Sequence, residues 1–372
     1  MKRVVKITAF VLMLSIITTS LCGCYDALDI NKKHIVTAVL LDYIDGQVEF
    51  CVEIADIEGG DKDSGEKYKY VTGKGESIIE SKETLNRSLD RQLYLSAIRS
   101  IIFTERFIDK YIIEYLNRLR ASEQYNKKVL IATTSSQPQE LIEKCEKNSI
   151  SLGFTTEQLL STLKKQGEGF VRTSEQVIEK LSQDRAAIIL PSIAINDGTN
   201  ELLGYTVIDE NKVKGFIPAN KASGCVLLNR EKAKSHYVIE YNGQRLSVEG
   251  VIKDCKIQPE YRDEKINFTV DCEMKANLLY SDTRPEQAFS NKDYSEMEKQ
   301  LKVSVKRDIE QTVEAAQNTF KCDYLYFDDA FRIKYPQQFA RLWWDEEFIK
   351  ADVDVKVKIN LDSIWLIDYE DR

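Results

Sequence analysis

The chain has 372 residues, of which 43% are hydrophobic and 30% charged, and its formal net charge is −8 at pH 7. This composition is typical of a globular protein with a hydrophobic core, and the length allows two or three domains of about 100–200 residues each. The acidic balance argues against nucleic-acid binding and against broad electrostatic adhesion to anionic lipid. The two histidines, His34 and His236, disfavour histidine-rich metal sites and Ser–His or Cys–His catalysis. We expect both to be ordinary strand or surface residues.

The first 24 residues have the pattern of a secretory signal. Three basic residues, Lys2, Arg3 and Lys6, precede an apolar run over residues 7–17. This run is shorter than the roughly 20 residues of a membrane span and fits a signal-peptide core. The sequence Leu21-Cys22-Gly23-Cys24 then resembles a bacterial lipobox, in which the cysteine carries a lipid and cleavage occurs just before it. An ordinary signal peptide with an incidental cysteine and an uncleaved anchor helix remain as alternatives.

Cys24 is therefore the predicted lipidation site. Two or more acyl chains hold a protein firmly, because each buried methylene contributes about 0.8 kcal/mol. Cleavage before Cys24 removes three positive charges and no negative ones, which takes the net charge from −8 to −11. Only residues 25–32 separate the lipid from the first predicted strand, and at roughly 3.5 Å each they reach at most about 28 Å. The first domain is therefore expected to lie close to the membrane.

The first half of the chain alternates strands and helices after an initial hairpin. Residues 34–41 and 48–54 are predicted strands joined at Asp45-Gly46, a typical two-residue hairpin turn. The helical spacing of Ile78, Ile79, Leu85, Leu89 and Leu93 predicts one helix. The remaining predicted elements are strand 98–103, helix 108–119, strand 129–132, a helix from Pro138, helices 157–165 and 174–182, and strand 186–195. This order predicts a mixed sheet covered by helices.

The glycine-rich loop over residues 58–67 is rejected as a phosphate-binding loop. Gly60 and Gly65 have the right spacing, but Glu66 takes the place of the lysine and Tyr68 that of the Ser or Thr. The loop is flanked by predicted strands and opens no helix.

The second half is predicted to be α+β. Its predicted strands are 202–208, 213–217, 224–228, 237–241, 246–257, 265–279 and 353–359, of which 246–257 and 265–279 form a long hairpin. A single long helix over 295–319 carries an apolar stripe that includes Met297, Leu301, Val305, Ile309 and Val313. We interpret this stripe as a core face.

Six cysteines remain after cleavage and lipidation: Cys51, Cys145, Cys225, Cys255, Cys272 and Cys322. Disulfides are possible outside the cytosol, but domains of this size do not need them. Cys255 and Cys272 form the best candidate bridge, because they lie on two strands expected to pair. The alternative is that all six are small buried hydrophobic residues.

No catalytic, metal or cofactor site is predicted. Asp328-Asp329 and Asp345-Glu346-Glu347 are acidic runs beside aromatic residues. They are interpreted as helix-start and surface charges, with cation binding as the alternative. An aromatic surface comprising Phe331, Tyr335, Phe339, Trp343 and Trp344 is a candidate partner-docking site, since aromatics concentrate at interfaces. The alternative is that these rings close the core.

The predicted fold class is thus mixed α/β and α+β, with helices packed on mixed sheets and an antiparallel sheet plus one long helix in the C-terminal half. The predicted division is a signal peptide over residues 1–23, an N-terminal mixed α/β domain over 24–200 and a C-terminal α+β domain over 201–372.

Several segments together match a known family pattern. They are Cys24-Tyr25-Asp26, Ile35-Val36-Thr37-Ala38, Glu76 to Glu105, Leu203-Gly204-Tyr205, Asp323-Tyr324-Leu325, Tyr335-Pro336 with the tryptophans that follow, and Val355 to Ile359. With these segments the chain resembles, over nearly its whole mature length, the Ger(x)C family of C-subunit lipoproteins of spore nutrient germinant receptors. Tyr25 departs from the tryptophan that is common after the lipidated cysteine.

The resemblance implies a non-enzymatic subunit anchored by Cys24 to the outer face of the spore inner membrane. It implies integral-membrane A and B subunits as partners and a role in triggering germination in response to nutrients. It also implies three α/β domains, so that the C-terminal region would divide in two. The alternative function is a lipid-anchored solute-binding protein of a transporter. The antiparallel second half argues against two similar α/β lobes, and the absence of a nucleophile–base pair disfavours an anchored hydrolase.

Overall fold

The computed structural model describes residues 32–55, 68–182, 186–229, 232–281 and 289–362, together with Arg3 and Thr8. Its strands are β1 Lys33–Ile44, β2 Gln47–Ala55, β3 Tyr68–Gly75, β4 Gln92–Tyr94, β5 Ser100–Thr104, β6 Leu130–Thr134, β7 Ile188–Asn196, β8 Thr199–Asp209, β9 Lys212–Pro218, β10 Lys234–Tyr241, β11 Gln244–Arg262, β12 Lys265–Ser281 and β13 Asp352–Asp362. Its helices are α1 Ile78–Arg87, α2 Glu105–Ala121, α3 Pro138–Asn148, α4 Leu152–Gln166, α5 Ser174–Leu181, α6 Ser223–Asn229, α7 Asn291–Glu314, α8 Phe327–Lys334, α9 Pro336–Phe339 and α10 Trp344–Phe348.

A nine-stranded mixed sheet forms the first layer of the described structure. Its order is β3-β2-β1-β5-β6-β7-β8-β9, and the short β4 also pairs with β1. The strands β1, β5, β6 and β7 are parallel, whereas β2, β3, β8 and β9 add antiparallel hairpins at the two ends. Asp45 and Gly46 both have positive φ, as a type I′ hairpin turn requires. This confirms the predicted hairpin and the predicted mixed sheet.

Helices cover both faces of this sheet. Val39 and Leu41 of β1 pack in one buried cluster with residues of α1, α2 and α5, whereas Ala38 and Leu40 pack in another with residues of α3 and α4. Successive side chains of a strand point to opposite faces, so a strand covered on both sides is apolar throughout. The near-continuous apolar run of β1 reflects this double cover.

A four-stranded sheet in the order β10-β11-β12-β13 forms the second layer of the described chain. The strands β11 and β12 form the predicted long hairpin, and β13 returns parallel to β12. The helix α7 packs its stripe of Met297, Leu301, Val305 and Ile309 in the core of this sheet, with all four side chains fully buried. It continues as a π-helical segment, Ala315–Phe320. The predicted long helix and its core face are confirmed.

Cys255 and Cys272 lie directly opposite each other in the β11–β12 register and form a disulfide. The other cysteines in the described structure, Cys51, Cys145, Cys225 and Cys322, are free and buried. The strand pairing that made Cys255 and Cys272 the best candidates is therefore present, and the interpretation of all six as unpaired residues is wrong for these two.

Two predicted elements differ from the structure. The helix α1 ends at Arg87, and Leu93 instead lies in β4, because β4 pairs with the first residues of β1. Residues 224–228 were predicted as a strand but belong to α6. A short apolar run is ambiguous by periodicity alone. Here a Cβ at Gly224 would collide with the backbone oxygen of Asp308 and with Thr312 Oγ1, so glycine lets α6 approach α7 closely.

The predicted boundary at residues 200 and 201 falls inside β8, a strand of the larger sheet. The division of the chain into an N-terminal and a C-terminal domain remains a prediction. The glycine-rich loop over 58–67 lies outside the described residues.

Candidate functional site

Cys24 lies outside the described residues, so its lipidation remains a prediction. The described chain resumes at residue 32, directly before β1. No helix in the described ranges is long and apolar enough to cross a membrane. Within the same ranges, no group of three or more His, Cys, Asp or Glu side chains is arranged to hold a metal ion.

The C-terminal aromatic segment is organised around one buried carboxylate, Asp323. Its Oδ1 accepts hydrogen bonds from the backbone N–H groups of Leu325 at 3.1 Å and Phe327 at 3.2 Å. Its Oδ2 accepts from the Asp328 N–H at 2.6 Å and from Trp344 Nε1 at 3.0 Å. Burial, followed by the negative charge of Asp328, raises the pKa of Asp323 to about 7. One side chain thus holds the start of α8 and orients the Trp344 indole.

Two of the five predicted docking residues belong to the core. Phe331 and Trp344 are buried, and their ring centroids are 5.4 Å apart. Phe268 of β12 packs edge-on against Trp344 at 6.3 Å. These two rings close the hydrophobic core of the four-stranded sheet, as the alternative interpretation proposed for the whole segment.

The other three docking residues differ in exposure. Tyr335 and Phe339 are partly buried against the same core. Trp343 is 67% exposed, and Ile333 on α8 is 82% exposed. Docking of a partner through this segment therefore remains a prediction, and Trp343 is the residue whose side chain is most accessible for it.

The acidic pair Asp328-Asp329 has a different environment from the one predicted. Lys180 of α5 donates to Asp328 Oδ2 at 2.8 Å and to Asp329 Oδ2 at 3.2 Å. The side chains of Lys180 and Asp328 are only 5% and 10% exposed. The interpretation as surface charge is therefore wrong for Asp328, which pairs with an ammonium group. The Lys180 and Arg172 cations also lie 4.7 Å from the centroid of the Tyr326 ring.

This ion pair joins α5 to α8, whose charged residues are separated by 148 positions in sequence. No local sequence pattern predicts that Lys180 is buried, because it resembles the other charged residues of an amphipathic helix. Asp345, Glu346 and Glu347 occupy the first turn of α10, as predicted.

A second buried carboxylate, Glu53 of β2, also went unpredicted. It is 1% exposed and lies at the start of α4. Its oxygens accept hydrogen bonds from Thr37 Oγ1, Tyr70 OH, Ser151 Oγ and the backbone N–H groups of Leu152 and Gly153. A carboxylate is favourable at a helix N-terminus, so Glu53 docks α4 onto the sheet. Polar residues alternate with apolar ones along β2, but helices cover the face of the sheet that carries Glu53 as well.

The histidines have the ordinary roles expected for them. His34 in β1 is hydrogen bonded to Asp90 at 2.8 Å, and His236 in β10 lies 3.4 Å from Glu168.

Comparison with known families gives two consecutive matches. The family described as "Spore germination protein N-terminal domain" matches residues 26–195. The family described as "Spore germination B3/GerAC like, C-terminal" matches residues 203–364.

Individual proteins agree with these matches. The chain is similar to the spore germination protein B3 of Bacillus subtilis, with 20% identity over 91% of this chain and 94% of that protein. It is also similar to the B. subtilis spore germination protein YndF, with 22% identity over 79% of this chain and 74% of that protein. Its fold is similar to the crystal structure of the GerBC protein, with a TM-score of 0.57, 15% identity, and coverage of 87% of this chain and 96% of that one. The chain therefore belongs to the GerAC/B3 family of spore germination proteins, through both its N-terminal and its C-terminal parts.

Proposed function

We propose that this protein is the lipid-anchored C subunit of a spore nutrient germinant receptor. It acts with integral-membrane A and B subunits at the outer face of the spore inner membrane to trigger germination. The observation that carries the proposal is the order of features along the chain. The family match begins at residue 26, two residues after the lipobox cysteine, and its two parts then run consecutively to residue 364.

The role is that of a non-enzymatic subunit. The conspicuous buried ionisable groups, Glu53, Asp323 and Lys180, are engaged in hydrogen bonds or ion pairs that hold helices in place. The free cysteines are buried, and burial raises the pKa of Cys51 and Cys225 to about 12. A thiol must ionise to act as a nucleophile, so these cysteines are inert at neutral pH.

The lipid at Cys24 would fix the position of the protein as well as its compartment. Lys33, the first residue of β1, lies nine positions after Cys24, so the chain keeps the beginning of β1 within at most about 32 Å of the lipidated residue. This distance is comparable to the diameter of a small domain. The nine-stranded sheet is then held near the membrane, where integral subunits are accessible.

The anchor is tested by Cys24→Ala, with Cys22→Ala as the matched control. Both variants remove one thiol from the same segment, but only the first removes the predicted lipid acceptor. We expect Cys24→Ala to move the protein from the membrane fraction to the soluble fraction of the spore, whereas Cys22→Ala leaves partitioning unchanged. Membrane retention of the Cys24→Ala protein would contradict the proposed anchor.

The receptor role is tested by deletion of the gene and by co-purification from spore membranes. We expect the deletion strain to grow normally but to lose germination in response to one class of nutrient. Complementation with the unaltered gene should restore the response, and two integral-membrane proteins should co-purify with the subunit. The deletion is made in a strain that lacks any second receptor for the same nutrient. Normal germination of that strain would show that the proposed role is wrong.

A further inference from the structure

A cleft of about 530 Å³ lies beside the first residue of β1. Three basic side chains line it: Lys33 at the start of β1, Lys82 on α1, and Arg91 just before β4. The rest of the lining includes the amide side chains of Asn86, Gln92 and Gln124. The chain as a whole carries a formal net charge of −8, so the net positive charge of the residues that line the cleft is opposite in sign to that of the whole protein.

The one carboxylate that lines the described cleft is Asp90, and it is already engaged. Asp90 Oδ1 is hydrogen bonded to His34 Nε2 at 2.8 Å, and its Oδ2 lies 3.8 Å from Arg91 Nε. The hydrogen bond with His34 holds the pKa of Asp90 below its usual value. Asp90 therefore stays ionised, but its bonding is directed to His34 and Arg91. Within the described ranges, neither Lys33 nor Lys82 forms an ion pair.

Lys82 is half-buried in this cleft. Its ammonium lies 5.7 Å from the centroid of the Tyr125 ring. Burial, followed by the positive charge of Arg118, lowers the pKa of Lys82. A desolvated ammonium group is unfavourable, and an anion bound beside Lys82 in the cleft would offset this cost. The electrostatic environment of Lys82 therefore favours binding of an anionic group in the cleft.

The position of the cleft indicates where the anion comes from. Lys33 lies nine positions after Cys24. A chain of that length spans at most about 32 Å when fully extended. If Cys24 carries the lipid, the cleft lies within reach of phosphate groups at the bilayer surface. Arginine matches phosphate oxygens through paired N–H groups and lysine does so as a point charge, while amide side chains can bond the hydroxyl groups of a polar headgroup.

We propose that the cleft formed by Lys33, Lys82 and Arg91 binds the phosphate headgroup of an anionic phospholipid. This inference rests on the proposed anchor, because the lipid at Cys24 brings the cleft to the membrane. The headgroup contact orients the anchored protein, which a lipid at Cys24 alone does not do. It is local, and so it is compatible with an acidic protein that does not adhere broadly to anionic lipid.

The test uses the full mature chain with Cys24→Ser, so that no attached lipid contributes to binding. Flotation with vesicles of equal parts phosphatidylglycerol and phosphatidylcholine measures the headgroup interaction, and vesicles of phosphatidylcholine alone give the background. We expect binding to the mixed vesicles only. Each basic residue near an anionic surface contributes about fivefold to partitioning, so Lys33→Gln with Lys82→Gln should weaken binding by about 25-fold.

The matched control carries Lys265→Gln and Lys302→Gln. Both of these lysines are exposed and lie outside the cleft. The two substitutions in the control remove the same total charge as Lys33→Gln with Lys82→Gln. An equal loss of binding in the control would mean that general charge attracts the protein to the vesicles and would overturn the site. Absence of binding to the mixed vesicles would also overturn it.

Glycerol phosphate and inorganic phosphate distinguish a lipid from a soluble ligand. We expect neither to displace the protein from vesicles at concentrations comparable to that of the accessible lipid. Displacement by either one at such concentrations would show that the cleft takes a free phosphate group and would overturn the lipid assignment. Because the tested protein has no lipid, these outcomes are independent of the Cys24→Ala partitioning and of the germination phenotype.

Discussion

Replacing Lys180 by methionine should destabilise the protein strongly, because the substitution leaves Asp328 buried without its cation. The Lys180 ammonium lies 2.8 Å from Asp328 Oδ2, and the two side chains are 5% and 10% exposed. Removal of one partner from a buried ion pair typically costs about 3–5 kcal/mol in the free energy of unfolding, whereas replacement of both partners by neutral groups costs much less. We therefore expect Lys180→Met to cost about 3 kcal/mol or more.

The double variant Lys180→Met, Asp328→Asn tests whether the buried charge is the cause. Asparagine keeps the shape of the side chain at position 328 but removes its charge. The double variant should therefore be more stable than Lys180→Met alone, and the coupling between the two substitutions should exceed about 1 kcal/mol. Because Lys180 lies on α5 and Asp328 on α8, this coupling would also report on the contact between the two parts of the chain.

The assay is urea unfolding followed by tryptophan fluorescence and by circular dichroism, which shows whether both parts of the chain unfold together. Lys144→Met is the matched control, since it removes a lysine from the more exposed helix pair Lys144–Glu140. Such pairs contribute about 0.3–0.5 kcal/mol. If Lys180→Met were no more destabilising than Lys144→Met, the reasoning about the buried pair would be refuted.

Three further predictions concern the C-terminal aromatic segment and its buried carboxylate, Asp323. Asp323 has its pKa raised from 3.8 to about 7 on folding, so its stabilising contribution is present below about pH 4 and is lost as the pH rises to about 7. Denaturant titrations at several pH values should show that the free energy of unfolding of the unaltered protein falls as the pH rises to about 7. In Asp323→Asn the free energy of unfolding should depend less on pH. The same pH dependence in both proteins would contradict the raised pKa of Asp323. Trp344→Ala should cost about 3–5 kcal/mol because it empties a core position, whereas Trp343→Ala should leave the free energy of unfolding unchanged within about 0.5 kcal/mol. If Trp343 docks a membrane subunit, Trp343→Ala should also reduce co-purification from spore membranes, and unchanged co-purification would remove it from the docking surface.

Local pattern was sufficient for most of the secondary structure. The Asp45-Gly46 turn defined the first hairpin because few residue pairs adopt positive φ so readily. The apolar stripe of α7 predicted both the helix and its buried face, since the 3.6-residue period recurs over many turns. Local pattern failed where a segment was short. Residues 224–228 have an apolar run that suits a strand or a buried helix equally well, and contact with α7 decides between them.

The candidate docking segment shows the same limit at the level of single residues. Trp343 and Trp344 are adjacent aromatics, and composition cannot tell which of them points inward. The hydrogen bond from Trp344 Nε1 to Asp323 places that ring in the core and leaves Trp343 exposed. Exposure at one position and burial at the next depend on the path of the chain between α9 and α10.

The sequence by itself indicated the kind of protein: a predicted signal segment ending at Cys24, an acidic globular chain, alternating elements followed by a long hairpin and helix, and the family. Those features are local or compositional, so they are present before folding. Only the tertiary structure decided which charges are buried and what they hold. Lys180 pairs with Asp328, which lies 148 positions later in the sequence. The Glu53 carboxylate accepts hydrogen bonds from N–H groups at the start of α4. One cleft is lined by Lys33, Lys82 and Arg91. These contacts join residues far apart in sequence, and each depends on how the helices lie on the sheets, which no local pattern specifies.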